Sequence, residues 1–134
     1  NGIDFEAVRR PTASLTGLHE YAVSKLANVL FTQELARRLQ GTGVTAYAVH
    51  PGVIASDVWR NVPWPLLRIY QWIKPMKTNE EGAEPLLRCA TAAELASETG
   101  RYYHRLHERA ANRHATAELA AELWRRSAEW TGLA

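Results

Sequence analysis

The sequence is poor in the features that mark several protein classes. Its single cysteine, Cys89, cannot form an internal disulfide, which fits a reducing compartment. It contains no window of about 18 uncharged apolar residues, the length that a membrane-spanning helix needs, and no signal peptide is visible. Sixteen basic residues against fourteen acidic ones leave a net charge of only +2, too weak a bias to indicate nucleic-acid binding. We therefore expect a cytoplasmic globular protein with no nucleic-acid partner.

The pattern that is present is of the α/β type. Apolar residues predict a long helix over 20–40, which Gly41 and Gly43 end. The mostly apolar segment over 44–49 predicts a strand. Because it does not alternate, it is typical of a strand buried on both faces of a parallel sheet. The other predicted elements are a loop with one short helix over 57–76, a helix from the N-cap Thr78 to about residue 90 with Glu81 completing a capping box, a short strand over 99–103, and a helix over 115–131.

The predicted strand over 44–49 has too few partners in this chain. An α/β domain needs a sheet of about five or six strands, and the sequence predicts only one clear strand and one weak strand. A buried parallel strand without neighbours would expose its backbone edges. We therefore interpret residues 1–134 as the C-terminal part of a larger α/β domain, mostly helical as it stands. The alternative is a small, mainly helical domain in which residues 44–49 are buried coil.

The helix over 20–40 carries an unusual polar stripe between two apolar flanks. At 100° per residue, one face collects Tyr21, Ser24, Lys25, Asn28 and Thr32. Lys25 is the only charged residue over 21–33, and a buried lysine is costly unless it is paired or functional. Tyr21 and Lys25 are four positions apart, so their side chains are neighbours. An ammonium group favours the phenolate form of a nearby tyrosine, which makes Tyr21 a candidate general acid/base. The alternative is a structural pair with the lysine reaching solvent.

Two motifs in a fixed order carry a family resemblance. Tyr21-Ala22-Val23-Ser24-Lys25-Leu26-Ala27-Asn28 is followed by the helix end, the strand, and His50-Pro51-Gly52-Val53-Ile54-Ala55-Ser56. Together they resemble the short-chain dehydrogenase/reductase family, and within it the retinol-dehydrogenase-like branch, over about residues 2–133. The resemblance implies a Rossmann-like, doubly wound parallel sheet. Residues 1–134 would then be the C-terminal half of a single NAD(P)-binding domain, with the N-terminal cofactor-binding half absent.

The resemblance also implies roles for individual residues. Tyr21 would be the catalytic acid/base, and Lys25 would assist it and bind the nicotinamide ribose. The remaining cofactor-binding residues would be Pro51, Gly52 and Val53, whose backbone meets the nicotinamide, and Ser56, which stands where the family often has threonine. This location is physically sensible, because ligands of open α/β sheets bind beyond the carboxyl ends of the strands. The implied cofactor is NADP(H) or NAD(H), with NADP(H) slightly preferred.

Some parts of the family pattern do not occur in the chain. The family's glycine-rich phosphate-binding turn follows its first strand. The segment over 41–46 fits G-x-G-x-x-A formally, but it follows a helix and opens a strand, so we reject it as a cofactor site. The family's catalytic serine would precede residue 1, and we interpret Ser14 as a loop residue. His104, His107 and His114 lie among arginines without a cysteine or carboxylate pattern, so we interpret them as part of a solvated basic segment and expect no metal site.

The aromatic segment over 58–77 has three interpretations. It is ordinary core, or it is the substrate loop that the family places directly after the cofactor-facing turn. In the second case Trp59, Trp64, Tyr70 and Trp72 are the candidates to line a pocket for a lipophilic alcohol, aldehyde or ketone. Basic residues interleave with these aromatics, so contact with a membrane surface is the third interpretation, which would make the protein peripherally membrane-associated.

We therefore predict a hydride-transferring oxidoreductase of which this chain alone is inactive. One alternative is a non-catalytic interaction or membrane-surface module that uses the segment over 58–77. Another is a family member that binds the cofactor without turnover. One apolar flank of the helix over 20–40 can cover the sheet while the other needs a partner. For that reason we expect the parent protein to form a homodimer or homotetramer.

Overall fold

A computed structural model of the chain describes residues 2–12, 17–55, 64–73 and 76–133, with only the backbone for residues 66 and 67. In chain order, the described elements are α1 (Leu18–Arg38), β1 (Tyr47–His50), α2 (Trp64–Ile73), α3 (Asn79–Thr91), β2 (Arg101–His104), β3 (His107–Glu108) and α4 (Ala117–Thr131), with single 3-10 turns at Ala7–Arg9 and Ala93–Leu95. Within these ranges no helix is both long and apolar enough to cross a membrane.

The helices predicted from the sequence are confirmed to within a few residues. The capping box at the start of α3 is complete: the Thr78 hydroxyl accepts a hydrogen bond from the Glu81 amide at 3.2 Å, and the Thr78 amide donates to the Glu81 carboxylate at 2.8 Å. At the far end of the chain, Gly132 follows α4 with a φ of 71°, a conformation that glycine adopts without strain. Local capping chemistry therefore fixed these helix ends, as the sequence indicated.

The described strands form a small mixed sheet in the order β1-β2-β3. β1 pairs with β2 in parallel, with Tyr47 opposite Arg101 and His50 opposite His104. β2 then pairs with β3 in antiparallel fashion. The weak strand predicted over 99–103 is confirmed as β2, and it supplies the first strand with a parallel neighbour on one edge. The alternative of buried coil is wrong for residues 47–49, which lie in the hydrogen-bonded strand β1, whereas residues 44–46 precede the strand.

Two further details of the sheet differ from the sequence-based expectation. β1 is half-buried rather than covered on both faces. The sheet is mixed rather than purely parallel, because β3 turns back beside β2. β3 has only two residues. A strand of this length cannot show the alternation of apolar and polar residues by which strands are recognised in a sequence.

The carboxyl half of α1 holds the centre of the core. Leu30 is fully buried there, and α1 packs against both long strands and α4. The ring of Phe31 stacks on that of Trp124 with centroids 5.3 Å apart, and the Arg38 guanidinium lies 4.6 Å from the same indole. Thus α4 covers part of the flank of α1 that we expected to need a second copy. For the covered part of this flank no second copy is needed, and the assembly itself stays a prediction.

A buried carboxylate ties down the end of α1. Glu34 is 2% exposed, and its oxygens accept hydrogen bonds from Arg37 at 2.6 and 2.8 Å and from Arg38 at 2.7 Å. These guanidinium groups, opposed by burial, lower the pKa of Glu34 to about 2. The side chain therefore stays ionised and paired at neutral pH, which makes it compatible with the packed interface beside α4.

Candidate active site

The candidate catalytic pair lies in the first turns of α1. Gly17, with a φ of 64°, precedes the helix, and its carbonyl accepts the Tyr21 amide at 2.9 Å. The Lys25 ammonium lies 5.2 Å from the centroid of the Tyr21 ring, over its face. The spacing in the sequence therefore does bring the two side chains together, in a cation–π contact.

The pair is exposed, which corrects the expectation of a buried lysine. Tyr21 is 57% exposed, and Lys25 also faces solvent. The pair is exposed because only the carboxyl half of α1 is covered by neighbouring elements. All the buried residues of α1 lie there, between Leu30 and Ala36. The amino half that carries the pair extends beyond that packed region. The two side chains are thus open to a ligand.

The direction of α1 brings its amino half towards the carboxyl ends of the parallel strands. Ala36 lies against Gly100, just before β2, and Gly100 donates its amide to Ala46, just before β1, at 2.8 Å. The end of α1 therefore sits at the amino edge of the sheet, and α1 runs back over β1 and β2. Lys25 precedes Ala36 by about 16 Å of helix, whereas a four-residue strand spans about 13 Å.

The turn after β1 lies at the same carboxyl edge. Gly52 has a φ of 100°, a conformation that favours glycine, and its amide donates to His50 Nδ1 at 3.0 Å. Beyond it, Val53 accepts the Lys77 amide at 2.9 Å, and the Lys77 carbonyl accepts the Ala55 amide at 2.9 Å. This bridge joins the turn to the segment that leads into α3. The predicted cofactor residue Ser56 and the predicted substrate residue Trp59 lie outside the described residues, as does Ser14.

The hairpin between β2 and β3 reaches the same turn, which the sequence did not indicate. Arg105 has a φ of 57°, and its amide donates to the His50 carbonyl at 2.8 Å. Its Nε lies only 3.2 Å from the point where a Cβ on Gly52 would be. The rings of His50 and His104 meet edge to face at 5.0 Å. His104 is half-buried, so the interpretation of this stretch as a solvated segment is wrong for that residue.

Burial also affects the charge of His104. The pKa of His104 is lowered, first by loss of solvent and then by the neighbouring His50 and two arginines. His104 is therefore neutral at neutral pH. No local signal could have revealed the contact, because it depends on the pairing of β1 with a strand about fifty residues further along the chain.

The aromatic residues of α2 do not share one face. Trp64 is 70% exposed and Trp72 88% exposed, whereas Tyr70 is half-buried. At 100° per residue, Tyr70 points about 160° away from Trp72 and about 120° away from Trp64. The Arg68 guanidinium lies 5.7 Å from the Trp64 ring. The helix thus separates Tyr70 from the two tryptophans, which lie about 80° apart, and the role of the three residues in a pocket stays a prediction.

The residues present fit one end of a dinucleotide. A phenol beside an ammonium can exchange a proton and bind a hydroxyl, and a turn with glycine at positive φ lets a flat ring approach the backbone closely. Gly41 and Gly43 have positive φ values, but they stand between α1 and β1. A phosphate-binding turn needs the opposite order, strand before helix. In the described part of the chain, the fit therefore extends to the nicotinamide end alone.

Comparisons with known proteins agree with these motifs. No protein-family model matches the chain. Retinol dehydrogenase 12 of Mus musculus is 44% identical over 115 residues, which are 84% of this chain and 36% of that protein. Dehydrogenase/reductase SDR family member 13 of Bos taurus is 40% identical over 137 residues, 98% of this chain and 36% of that protein. Retinol dehydrogenase 13 of Homo sapiens is 38% identical over 139 residues, 98% of this chain and 42% of that protein.

The chain thus spans between 36% and 42% of the length of these relatives. Within that stretch, the alignments include nearly all of this chain in two of the three cases. Such relatives imply a Rossmann-like fold, with which the small sheet and its flanking helices are consistent. By sequence, the chain belongs to the short-chain dehydrogenase/reductase family and to its retinol-dehydrogenase-like branch.

Proposed function

We propose that the chain is part of an NAD(P)-dependent oxidoreductase that interconverts a lipophilic alcohol and the corresponding aldehyde or ketone. The observation that carries this proposal is the exposed pair on α1, in which the Lys25 ammonium lies 5.2 Å from the centroid of the Tyr21 ring. The similarity to proteins named as retinol dehydrogenases supports the same class of reaction. It also supports a retinoid-like alcohol as the first substrate to test.

In this proposal the cofactor supplies hydride transfer to or from the carbinol carbon. Tyr21 donates a proton to the substrate oxygen during reduction and accepts it during oxidation. Lys25 stabilises the ionised tyrosine by its charge and donates a hydrogen bond to a ribose hydroxyl. The backbone of Pro51, Gly52 and Val53 packs against the nicotinamide. The proposed cofactor is NADP(H) or NAD(H), with NADP(H) first.

The organisation of the protein is part of the proposal. The relatives are more than twice as long as the chain, and the described residues include no glycine-rich turn between a strand and a helix. We propose that the phosphate-binding turn and the catalytic serine belong to a preceding half of the same domain, and that the 134 residues alone do not turn over substrate. A cytoplasmic location and self-association as a homodimer or homotetramer are proposed with it.

A second function is supported by the surface of α2. Trp64, Ile69, Trp72 and Ile73 are all more than half exposed, and Arg68 stands among them. Exposed tryptophans with a nearby cation suit the surface of a membrane. We propose peripheral membrane contact through this helix as the alternative role, either instead of catalysis or alongside it.

The two proposals separate in a binding experiment on the full-length protein. Titration with NADPH and NADH, followed by nucleotide fluorescence, tests for the cofactor, and assays with retinol and retinal test for turnover. The oxidoreductase proposal expects saturable nucleotide binding and turnover of at least one substrate. A folded protein that binds neither nucleotide but sediments with anionic vesicles would refute it in favour of the membrane-surface module.

A further inference from the structure

His50 is held to its surroundings through both its main chain and its side chain. Its carbonyl accepts the Arg105 amide at 2.8 Å, and its Nδ1 accepts the Gly52 amide at 3.0 Å. The second bond spans two residues, as in the turns that asparagine and aspartate side chains form with the following backbone. His50 therefore closes the turn that follows β1 with its own ring.

Arg105 supports this turn from the opposite side. It is the one residue other than glycine with a positive φ in the described part of the chain, at 57°. Such strain persists only where the surroundings determine it. Arg105 adopts this conformation at the tip of the hairpin between β2 and β3. There its amide donates a hydrogen bond to the His50 carbonyl, and its guanidinium lies beside Gly52. A side chain on Gly52 would meet that guanidinium at 3.2 Å.

The bond from Gly52 constrains the protonation of His50. Nδ1 accepts a hydrogen bond only when it carries no proton, so the ring must be neutral with its proton on Nε2. A protonated imidazole donates at both nitrogens, and its Nδ1 would face the Gly52 amide as donor to donor. The bond is thus lost when the ring gains a proton.

We propose that His50 and Arg105 are positioning residues that hold the turn over 51–53 in its cofactor-binding shape, and that protonation of His50 releases this turn. The inference rests on the proposed function, because it assigns the turn to the cofactor. It gives a structural role to His50, and to Arg105, which lies far from the turn in the sequence. His104 on β2 lies against the His50 ring. Arg105 and Lys77, the latter paired with Glu81, lie beside Gly52, and Arg105 and Arg109 act on His104.

Two substitutions at His50 separate its hydrogen bond from its packing. H50F keeps an aromatic ring against His104 but removes the acceptor. H50N restores an acceptor that does not titrate, in the turn geometry typical of asparagine. In the full-length protein we expect H50F to bind NADPH about threefold to tenfold more weakly than the wild type at neutral pH, the size of one lost hydrogen bond, and to show no further weakening as pH falls. H50N should bind as tightly as the wild type at neutral pH and lose the weakening that the wild type shows in acid.

Arg105 has its own matched pair of variants. R105N removes the guanidinium while keeping a residue that tolerates positive φ, and R113N removes the same charge from the exposed loop beyond the hairpin. R105N should weaken NADPH binding, and R113N should leave the dissociation constant within about twofold of the wild type, as for most surface substitutions. Equal effects of the two variants would show that only net charge matters and would overturn the role of Arg105.

The amide signal of Gly52 distinguishes failure of this inference from failure of the proposed function. In protein labelled with 15N-glycine and measured without nucleotide, the Gly52 amide should shift as pH falls in the wild type and stay constant in H50N. A pH-independent Gly52 amide in the wild type, or normal nucleotide affinity in H50F, would overturn the inference while leaving the oxidoreductase intact. If the Gly52 amide signal shifts with pH in a folded protein that binds no nucleotide, the proposed function is refuted while the hydrogen bond from Gly52 to His50 is supported.

Discussion

Substitution of Tyr21 by phenylalanine is the most direct test of the candidate active site. The change removes one hydroxyl and leaves the ring, over which the Lys25 ammonium lies at 5.2 Å. The cation–π contact survives, because phenylalanine also presents a negative ring face. We expect Y21F to lose turnover in the full-length protein while keeping most of its affinity for the nucleotide.

The expected magnitude follows from the exposure of the ring. Tyr21 is 57% exposed, so removing its hydroxyl should change the free energy of unfolding by less than about 0.5 kcal/mol. General acid/base catalysis contributes about 10²–10⁴-fold to the rate, which corresponds to about 3 to 5 kcal/mol in the activation barrier. The effect on catalysis should therefore exceed the effect on stability several-fold, and the two are separable in one variant.

The assay compares three proteins under the same conditions. Wild type, Y21F and the control Y102F are measured for retinal reduction with NADPH, for the dissociation constant of NADPH, and for the urea midpoint of unfolding. Tyr102 is half-buried in β2 and lies outside the proposed site, so Y102F removes the same atom from a different place. Turnover by Y21F within about tenfold of the wild type would refute the acid/base role. Equal losses in Y21F and Y102F would point to a general effect of removing a hydroxyl.

Three further predictions concern the same elements. K25A should lower turnover and raise the dissociation constant of NADPH by about tenfold or more, as expected for a lost charged hydrogen bond; unchanged affinity in nucleotide titrations would contradict the ribose contact. E34Q should be less stable than the wild type by about 1 kcal/mol above pH 5. Because the folded-state pKa of Glu34 is lowered from 4.5 to about 2, that advantage should vanish as pH falls from 4.5 towards 2, and a constant difference in urea midpoints over this range would contradict it. T78A should cost about 1 kcal/mol through its lost N-cap, while T91A, at the other end of α3, should cost a few tenths in the same unfolding measurement.

Features that depend on residues close together in the sequence were predictable. The contact of Tyr21 with Lys25 needs only the pitch of a helix, and the box formed by Thr78 and Glu81 needs only a spacing of three. The break after β1 follows from proline and glycine at positions 51 and 52. Each of these depends on residues at most four positions apart, so no other part of the fold could change the outcome.

The exposure of the candidate catalytic pair was not predictable from the same pattern. Apolar residues on both sides of a polar stripe indicate that the stripe is buried only if other elements cover both flanks along the whole helix. In the structure, cover is concentrated on the carboxyl half, where Leu30 and Ala36 meet the sheet and α4. The amino half bears the same type of residues but contains no buried one. Burial at one point of a helix therefore reflects what lies beside that turn, which is a property of the assembled fold.

The candidate site thus combines two kinds of information. Tyr21 and Lys25 carry the proposed chemistry, and their motif can be recognised within a single helix. The shape of the turn that would meet the cofactor depends on Arg105, which reaches His50 only because β2 pairs in register with β1. A protein could keep both sequence motifs and differ only in this hairpin. The motifs would then be unchanged, but the turn over 51–53 would have a different shape. Cofactor affinity and its pH dependence should therefore vary with the hairpin, while the proton transfer assigned to Tyr21 should vary with α1.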